Sequence, residues 1–371
     1  MKFLKKLVLP VMKAATVLLL FLYIPALFVY HISPKQWWPI GILSIGFPYL
    51  WLILVLCVAV GFFLHRKAGF ILLCLLLAGL PIMKQVFAFN VSRPFATQKQ
   101  LKQIRIMQWN CRGLPGFQPK GVYEDRRNVV NFIRKYQPDI ICIQDFSETV
   151  ATNVYSNIHL MQDTLGYKYF LFTQHYKTNN PGWKDGVGIA IFSKYPIADS
   201  GRLHYPGKMH PESILWASVN IAGKFLRVAT THFQSMHLTR TGTTPLEKEL
   251  WEDRKAIIYG STLDKLQYFQ NYHITQANFL RSFLDTSSGP LIFTGDLNSV
   301  PSSYTYKVSK GQLTDAFLVN GSGFGRTYDS RQPALRIDYI FHNQQISAHQ
   351  IKLFRTTFSD HDPLIIDCSI R

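Results

Sequence analysis

Acidic residues are missing from the first ninety positions, which carry eight basic ones: Lys2, Lys5, Lys6, Lys13, Lys35, Arg66, Lys67 and Lys84. That imbalance sets the segment apart from the rest of the chain. Cysteine is also scarce, with five in 371 residues and no CxxC spacing. A disulfide framework or a zinc site is thereby excluded, and buried free thiols are expected. There is no Gly-rich phosphate loop, no HExxH and no GxSxG, which argues against nucleotide-loop, zinc-peptidase and serine-hydrolase chemistry. No internal repeat or low-complexity tract is present.

What fills the acid-free segment is apolar. Three runs stand out, at about 14–30, 40–64 and 68–89. The second is long enough to span a bilayer outright. The other two are near the lower limit, and Pro81 and Lys84 interrupt the third. A cleavable signal peptide would account for one such run but not for three. Residues 1–90 are therefore expected to be a membrane anchor of three transmembrane helices. Lysine and arginine cluster at the N-terminus and at His65-Arg66-Lys67, whereas the first loop holds one lysine and the pair Trp37-Trp38. The positive-inside rule then places the N-terminus in the cytoplasm and everything after about residue 90 on the outer side of the cell (inner) membrane. Residues 91–103 are polar and read as a linker at a domain boundary.

Beyond the anchor the charge is more even. Residues 91–371 hold the remaining 32 basic and all 22 acidic residues, a formal +10 of the chain's +18. This favours phosphate-bearing or anionic partners. The charge is spread along the sequence, so it does not separate a nucleic-acid track from a solvated basic surface.

Short apolar runs with strand character recur from residue 104 onward, interrupted by helical patterns at 122–136 and across 245–285. Residues 214–221 and 224–230 read as a hairpin about Ala222-Gly223. Strands joined partly by hairpins and partly by helices predict an α/β fold with mixed sheets and outer helices. The central stretch is PLIFTGDLN, residues 290–298. An apolar run of strand length enters Gly295 and delivers Asp296 and Asn298 at its C-terminal mouth, where open α/β sheets place their chemistry. By itself this is equally a turn after a strand. Other strand ends match it: Asn110, Asp145, His232, Asp338 and the pair Asp360-His361. Such carboxylates, amides and imidazoles suit phosphate-ester hydrolysis. Hard divalent cations take carboxylate and amide oxygens, carboxylates activate water, and imidazoles handle protons.

The motifs WN (Trp109-Asn110), PDIICIQ (138–144), GVGIAIFSKYPI (186–197), TH (Thr231-His232), GDLN (295–298), RIDYIF (336–341) and SDH (359–361) resemble, in order, those of the endonuclease/exonuclease/phosphatase family. The resemblance spans residues 104–371, and the anchor is similar to that of a bacterial branch with N-terminal spans. It implies a four-layer α/β sandwich, two packed mixed β-sheets flanked by helices, as the catalytic domain. It further implies Mg²⁺ (or Mn²⁺) held by Asn110, Asp145 and Asp360. Asp296, with Asn298 beside it, would activate water. His232 would contact the phosphate, and His361, oriented by Asp338, would be the essential imidazole. Asp145 departs from the family, which has a longer Glu there. Either Asp145 remains the ligand through a shifted cation or a bridging water, or Glu148 takes its place.

The expected function is a membrane-anchored, metal-dependent phosphoesterase acting outside the cytoplasm. Its phosphate-ester substrate would be a phospholipid or sphingolipid headgroup, a lipid-linked pyrophosphate or nucleic acid. No protein partner is inferred. The competing reading, prompted by Asp145, is a non-catalytic receptor or scaffold that keeps the fold. The 245–285 insert reads either as an outer helical layer or, through Trp251, Tyr259, Tyr268 and Tyr272, as a lid or membrane-facing element.

Overall fold

The computed structural model describes residues 2–113, 122–149, 156–180, 183–207, 212–236, 262–329 and 335–371. In chain order the helices are α1 (Lys2–Ala26), α2 (Pro39–Leu64), α3 (Arg66–Ala78), α4 (Leu80–Val86), α5 (Val122–Tyr136), α6 (Asn157–His159), α7 (Thr262–Leu284), α8 (Tyr304–Lys310) and α9 (Ala316–Asn320). The strands are β1 (Ala88–Phe89), β2 (Ile104–Asn110), β3 (Ile140–Thr149), β4 (Tyr169–Asn180), β5 (Trp183–Ser193), β6 (Ile197–His204) and β7 (Ser213–Ile221). They continue with β8 (Lys224–His232), β9 (Leu291–Asp296), β10 (Thr314–Asp315), β11 (Ser322–Gly323), β12 (Asp338–His342), β13 (Ile346–Leu353) and β14 (Leu364–Ile370).

Two six-stranded mixed sheets form, in the orders β13-β14-β2-β3-β5-β4 and β10-β12-β9-β8-β7-β6. Each has one parallel pair near its middle, β2 with β3 and β8 with β9; the other neighbours are antiparallel. The β7–β8 hairpin turns through Ala222 and Gly223, both at positive φ, as a primed two-residue turn demands.

Side-chain alternation explains the layering. In β2, Ile104 and Ile106 join Leu215, Ala217, Val228, Ile292 and Ile340 between the sheets, while Met107 and Trp109 face Val129 and Ile133 of α5. On the other sheet, Ala229, Phe293 and Phe341 turn outward onto Ala277, Leu280 and Leu284 of α7. A strand buried on both faces is apolar at most positions, which is why these runs do not alternate with polar ones; buried exceptions in β2 such as Arg105 and Gln108 are hydrogen-bonded. The result is the expected helix–sheet–sheet–helix sandwich.

The N-terminal region departs from expectation. Among the described residues one helix, Pro39–Phe63, is long and apolar enough to cross a membrane. Lys13–Ala26 is a shorter apolar helix. The third run breaks at Gly79, and α3 and α4 meet at a 48° bend, so together they amount to a second span only if the bent pair counts as one. Three helices that each meet that length and apolarity are thus not found among the described residues. Tyr23, Phe47, Leu54, Leu72 and Val86 nevertheless share one core.

Residues 91–103 lack regular structure yet are strapped down. Arg105 donates to the Thr97 and Ala96 carbonyls, and Phe95 packs edge-on to Phe354. Of the 245–285 insert, Tyr268 and Tyr272 lie on α7, whose apolar face forms an outer layer; Trp251 and Tyr259 lie outside the described residues.

Candidate active site

The C-terminal ends of the two parallel pairs meet. Asn110 pairs with Gln144 in one sheet and His232 with Asp296 in the other. The ends of parallel strands collect unpaired polar groups, and here two such ends close on each other across the sandwich.

Asp296 is the hub. It is buried, and its Oδ1 accepts the Asn298 amide at 2.8 Å. Its Oδ2 accepts from Asn110 Nδ2 at 3.1 Å and lies 3.6 Å from His232 Nε2 and 3.8 Å from His361 Nδ1. His361 Nδ1 bonds Asp338 Oδ2 at 2.9 Å. Asp338 Oδ1 accepts from Gln108 Nε2 at 2.8 Å, and the same amide donates to Gln144 Oε1. Asp338 therefore has both oxygens occupied and fixes the imidazole. Trp109 donates to the His361 carbonyl, Ser359 accepts the His361 amide, and the Tyr328 ring lies 4.9 Å from the imidazole.

The opposite wall is looser. A bulge in β3 between Ile143 and Phe146 throws Asp145 to φ +50°, and its Oδ1 lies 3.2 Å from His232 Nδ1. Arg112 and Asn298 are also at positive φ, so three non-glycine residues at this rim hold a costly backbone. Bulges recur beside active sites because they re-aim a side chain. Asp360 Oδ2 is 3.1 Å from Arg112 Nη1, while its buried Oδ1 has no hydrogen-bond partner among the described residues. Glu148, read from sequence as lying past the strand, instead sits on β3 opposite Gly186, and its Oε2 accepts the Ile158 amide at 2.7 Å.

A family model described as "Endonuclease/Exonuclease/phosphatase family" matches residues 107–361. The chain belongs to the endonuclease/exonuclease/phosphatase family. A second model, described as a domain of unknown function, matches residues 5–86. An endonuclease/exonuclease/phosphatase protein from Beutenbergia cavernae is similar in structure, with TM-score 0.50, 18% identity and 72% of each chain covered. One from Bacteroides vulgatus has TM-score 0.50 and 16% identity over 72% of this chain and 99% of its own. Humanized TDP2 of D. rerio has TM-score 0.50 and 15% identity over 72% of this chain and 99% of its own. Identities this low speak for the fold alone. No curated protein matches the sequence.

In this endonuclease/exonuclease/phosphatase site the charges push against one another. Burial, then the neighbouring Asp338, raises the Asp296 carboxyl to about 6, against the pull of His361 and His232. Burial opposes charge on both imidazoles, yet the carboxylates win. Asp338 and then Asp296 hold His361 up at about 9, and Asp145 with Asp296 holds His232 at about 10. The donor set fits a divalent cation. Asp296, Asp338 and His361, all buried, bring ligand atoms within 4.8 Å of one another. Asp145 and the unpartnered Asp360 oxygen add hard oxygen donors of the type Mg²⁺ or Mn²⁺ accepts.

Sequence reasoning named the strand-end residues but gave no role to Gln108 or to Gln144, which closes the PDIICIQ motif. Both amides are fully buried, and Gln144 Nε2 crosses to Thr230 Oγ1 at 2.8 Å. Their signal was an amide inside an otherwise apolar strand, which must find partners when buried.

Proposed function

We propose that this protein is a membrane-anchored, divalent-metal-dependent phosphoesterase. The observation that carries this reading is the hub at Asp296, where a buried carboxyl with a pKa near neutrality faces an imidazole already locked by Asp338. A base is most effective when its pKa lies near the working pH. Asp296 would take the proton of a water attacking phosphorus, and Asn298 would keep its carboxyl oriented. His361 and His232, held as imidazolium ions, would donate to the phosphoryl oxygens as charge builds there. A cation held by Asn110, Asp145 and Asp360 would supply further charge stabilisation when bound. The buried Asp296–Asp338–His361 group is the alternative holder. We favour the first set, because it holds a buried Asp360 oxygen that is unpartnered among the described residues, whereas Asp338 has both oxygens committed to His361 and Gln108 and Glu148 is committed to the Ile158 amide.

The anchor supports the membrane assignment. Large apolar side chains such as Phe21, Leu56, Phe63 and Phe70 stand exposed on its helices. An apolar surface of that kind calls for lipid. With the basic bias of the N-terminus and the Arg66 turn, the catalytic portion would lie on the outer side, which requires the shorter helix α1 and the bent α3–α4 pair to cross together with α2. A phosphatase-reporter fusion after residue 95 should be active and one after residue 66 silent; the opposite pattern would overturn the orientation.

The activity test uses the full chain in detergent, because the anchor is packed against the catalytic portion. Bis-p-nitrophenyl phosphate should be hydrolysed with Mg²⁺ or Mn²⁺ and not with EDTA. No turnover under any metal would favour the non-catalytic receptor or scaffold instead.

A further inference from the structure

The outer ends of the anchor helices do not merely precede the catalytic portion; they clamp its active-site rim. Three rim segments are held. Residues 299–303, which leave Asn298 directly, are bonded twice: Tyr30 donates to the Pro301 carbonyl and Ser302 to the Ser44 carbonyl, each at 2.6 Å. Arg336, next but one to Asp338, is fully buried and donates to the Gln85 carbonyl at 2.7 Å while paired with Asp315 at 2.6 Å. The segment 322–328, whose Tyr328 bridges to His361, pairs with β1 through Ser322 and Gly323 and stacks Phe324 edge-on to Phe87. α7 completes the contact, with Lys35 on Thr275 and Gln270 pressed against Gly41.

All the anchor partners lie at one level: the end of α1, the α1–α2 loop, the first turns of α2 and the end of α4 with β1. That level is also where aromatic residues gather, Tyr30, Trp37 and Trp38 on one side and Phe87 and Phe89 on the other, with Trp37 and Phe89 exposed. Aromatic belts of this kind sit at the boundary of lipid and water. A flexible tether would let the site face any direction. Here the segments bearing Asn298, Asp338 and the His361 partner Tyr328 rest on the helix ends themselves.

Resting on the phosphoesterase reading above, we propose that the cleft is fixed at the bilayer surface and that its substrate is a phosphate ester borne by a lipid of that same membrane. Water attacks phosphorus, the bond to the leaving oxygen breaks, and the leaving group departs with a proton, all without the lipid quitting the bilayer.

The test uses the full chain reconstituted into phosphatidylcholine vesicles, with a long-chain diacylglycerol p-nitrophenyl phosphodiester as probe. The probe is placed in the protein's own vesicles or in protein-free vesicles mixed with them. Hydrolysis in the protein's own vesicles should exceed the mixed case by about 10-fold or more, because sharing a membrane raises effective concentration. A short-chain, water-soluble version of the probe and a DNA oligonucleotide should be poorer substrates. Equal rates in the two vesicle arrangements, or DNA cleaved as efficiently as the lipid, would sink the proposal. Gly41→Leu wedges α2 away from α7 outside the catalytic machinery. It should lower lipid hydrolysis while leaving bis-p-nitrophenyl phosphate turnover in detergent within about 2-fold. An equal fall in both, or no change in either, would deny the anchor its orienting role. Failure of the wild-type protein to cleave bis-p-nitrophenyl phosphate with any metal would instead remove the phosphoesterase reading, and this inference with it.

Discussion

The two sheets are built on one plan and finish differently. Each centres on a parallel pair, β2–β3 or β8–β9, and each presents polar residues where that pair ends. The β8–β9 end is closed: Asp296 is buried among Asn110, His232 and His361, and its backbone neighbour Asn298 caps it. The β2–β3 end is more open: Asp145 rides on a bulge at positive φ with its side chain 33% exposed, and Asp360, paired with Arg112, keeps an oxygen that is unpartnered among the described residues. A closed, buried end suits proton transfer, which needs fixed geometry and a shifted pKa. An end with spare oxygen donors suits a cation and the ligand waters it keeps. On the proposed reading the same strand arrangement would serve two chemistries, because the two ends differ in how deeply their carboxylates are buried.

The largest expected effects come from breaking the closed end. Asp296→Asn and His361→Ala should each lower turnover of bis-p-nitrophenyl phosphate by about 10²–10⁴-fold, since each removes a proton-handling group. Circular dichroism should show both variants folded. Near-wild-type turnover in either would remove that residue from the mechanism.

Next comes the open end. Asp145→Ala should abolish the metal-dependent rate and weaken Mn²⁺ binding measured by calorimetry, whereas Glu148→Ala should be mild. Glu148 serves the Ile158 amide, so its loss should register in thermal stability, by about 1 kcal/mol. The reverse ranking, with Glu148→Ala inactive, would move the ligand along β3. If Asp338→Ala rather than Asp145→Ala abolishes Mn²⁺ binding, the Asp296–Asp338–His361 group holds the ion.

A smaller loss is expected from Gln108→Leu, which removes the amide that fixes Asp338 and reaches Gln144. Turnover should fall roughly 10-fold, as is usual for groups that orient functional side chains, with KM little changed. A change in KM alone would mean that Gln108 acts on substrate binding instead.

The smallest effect belongs to a site where positive φ has no functional partner. Ala222 in the β7–β8 turn sits at φ +50°, like Asp145. Ala222→Gly should stabilise the protein by about 0.5–1 kcal/mol in a thermal melt and leave turnover unchanged. Asp145→Gly should ease the same backbone strain yet lose metal-dependent activity, separating strain that is incidental from strain that aims a ligand.

Much of this was legible from the chain. The apolar run ending in GDLN, the hairpin about Ala222-Gly223 and the helix at Val122–Tyr136 are local patterns, set by propensity and by which faces must be buried. The strand-end residues were legible for the same reason, since a polar residue closing an apolar run marks a sheet rim. β6 escaped notice: its alternating exposed residues, Ile197–His204, carry too few apolar positions to stand out at a sheet edge. Of the three expected spans one meets the length and apolarity of a span among the described residues, because an apolar run records composition, whereas the bend at Gly79 decides how much of the third run is straight helix.

The sequence by itself determined the strands, the polar termini and the acid-free N-terminal segment, because each depends on neighbours along the chain. Only the tertiary structure decided that Asn110 donates to Asp296, that Gln108 braces Asp338, and that Arg336 bonds the Gln85 carbonyl of the anchor. Those contacts join residues far apart in sequence, and they exist because two sheets and the N-terminal helices must satisfy one another's buried polar groups when packed together.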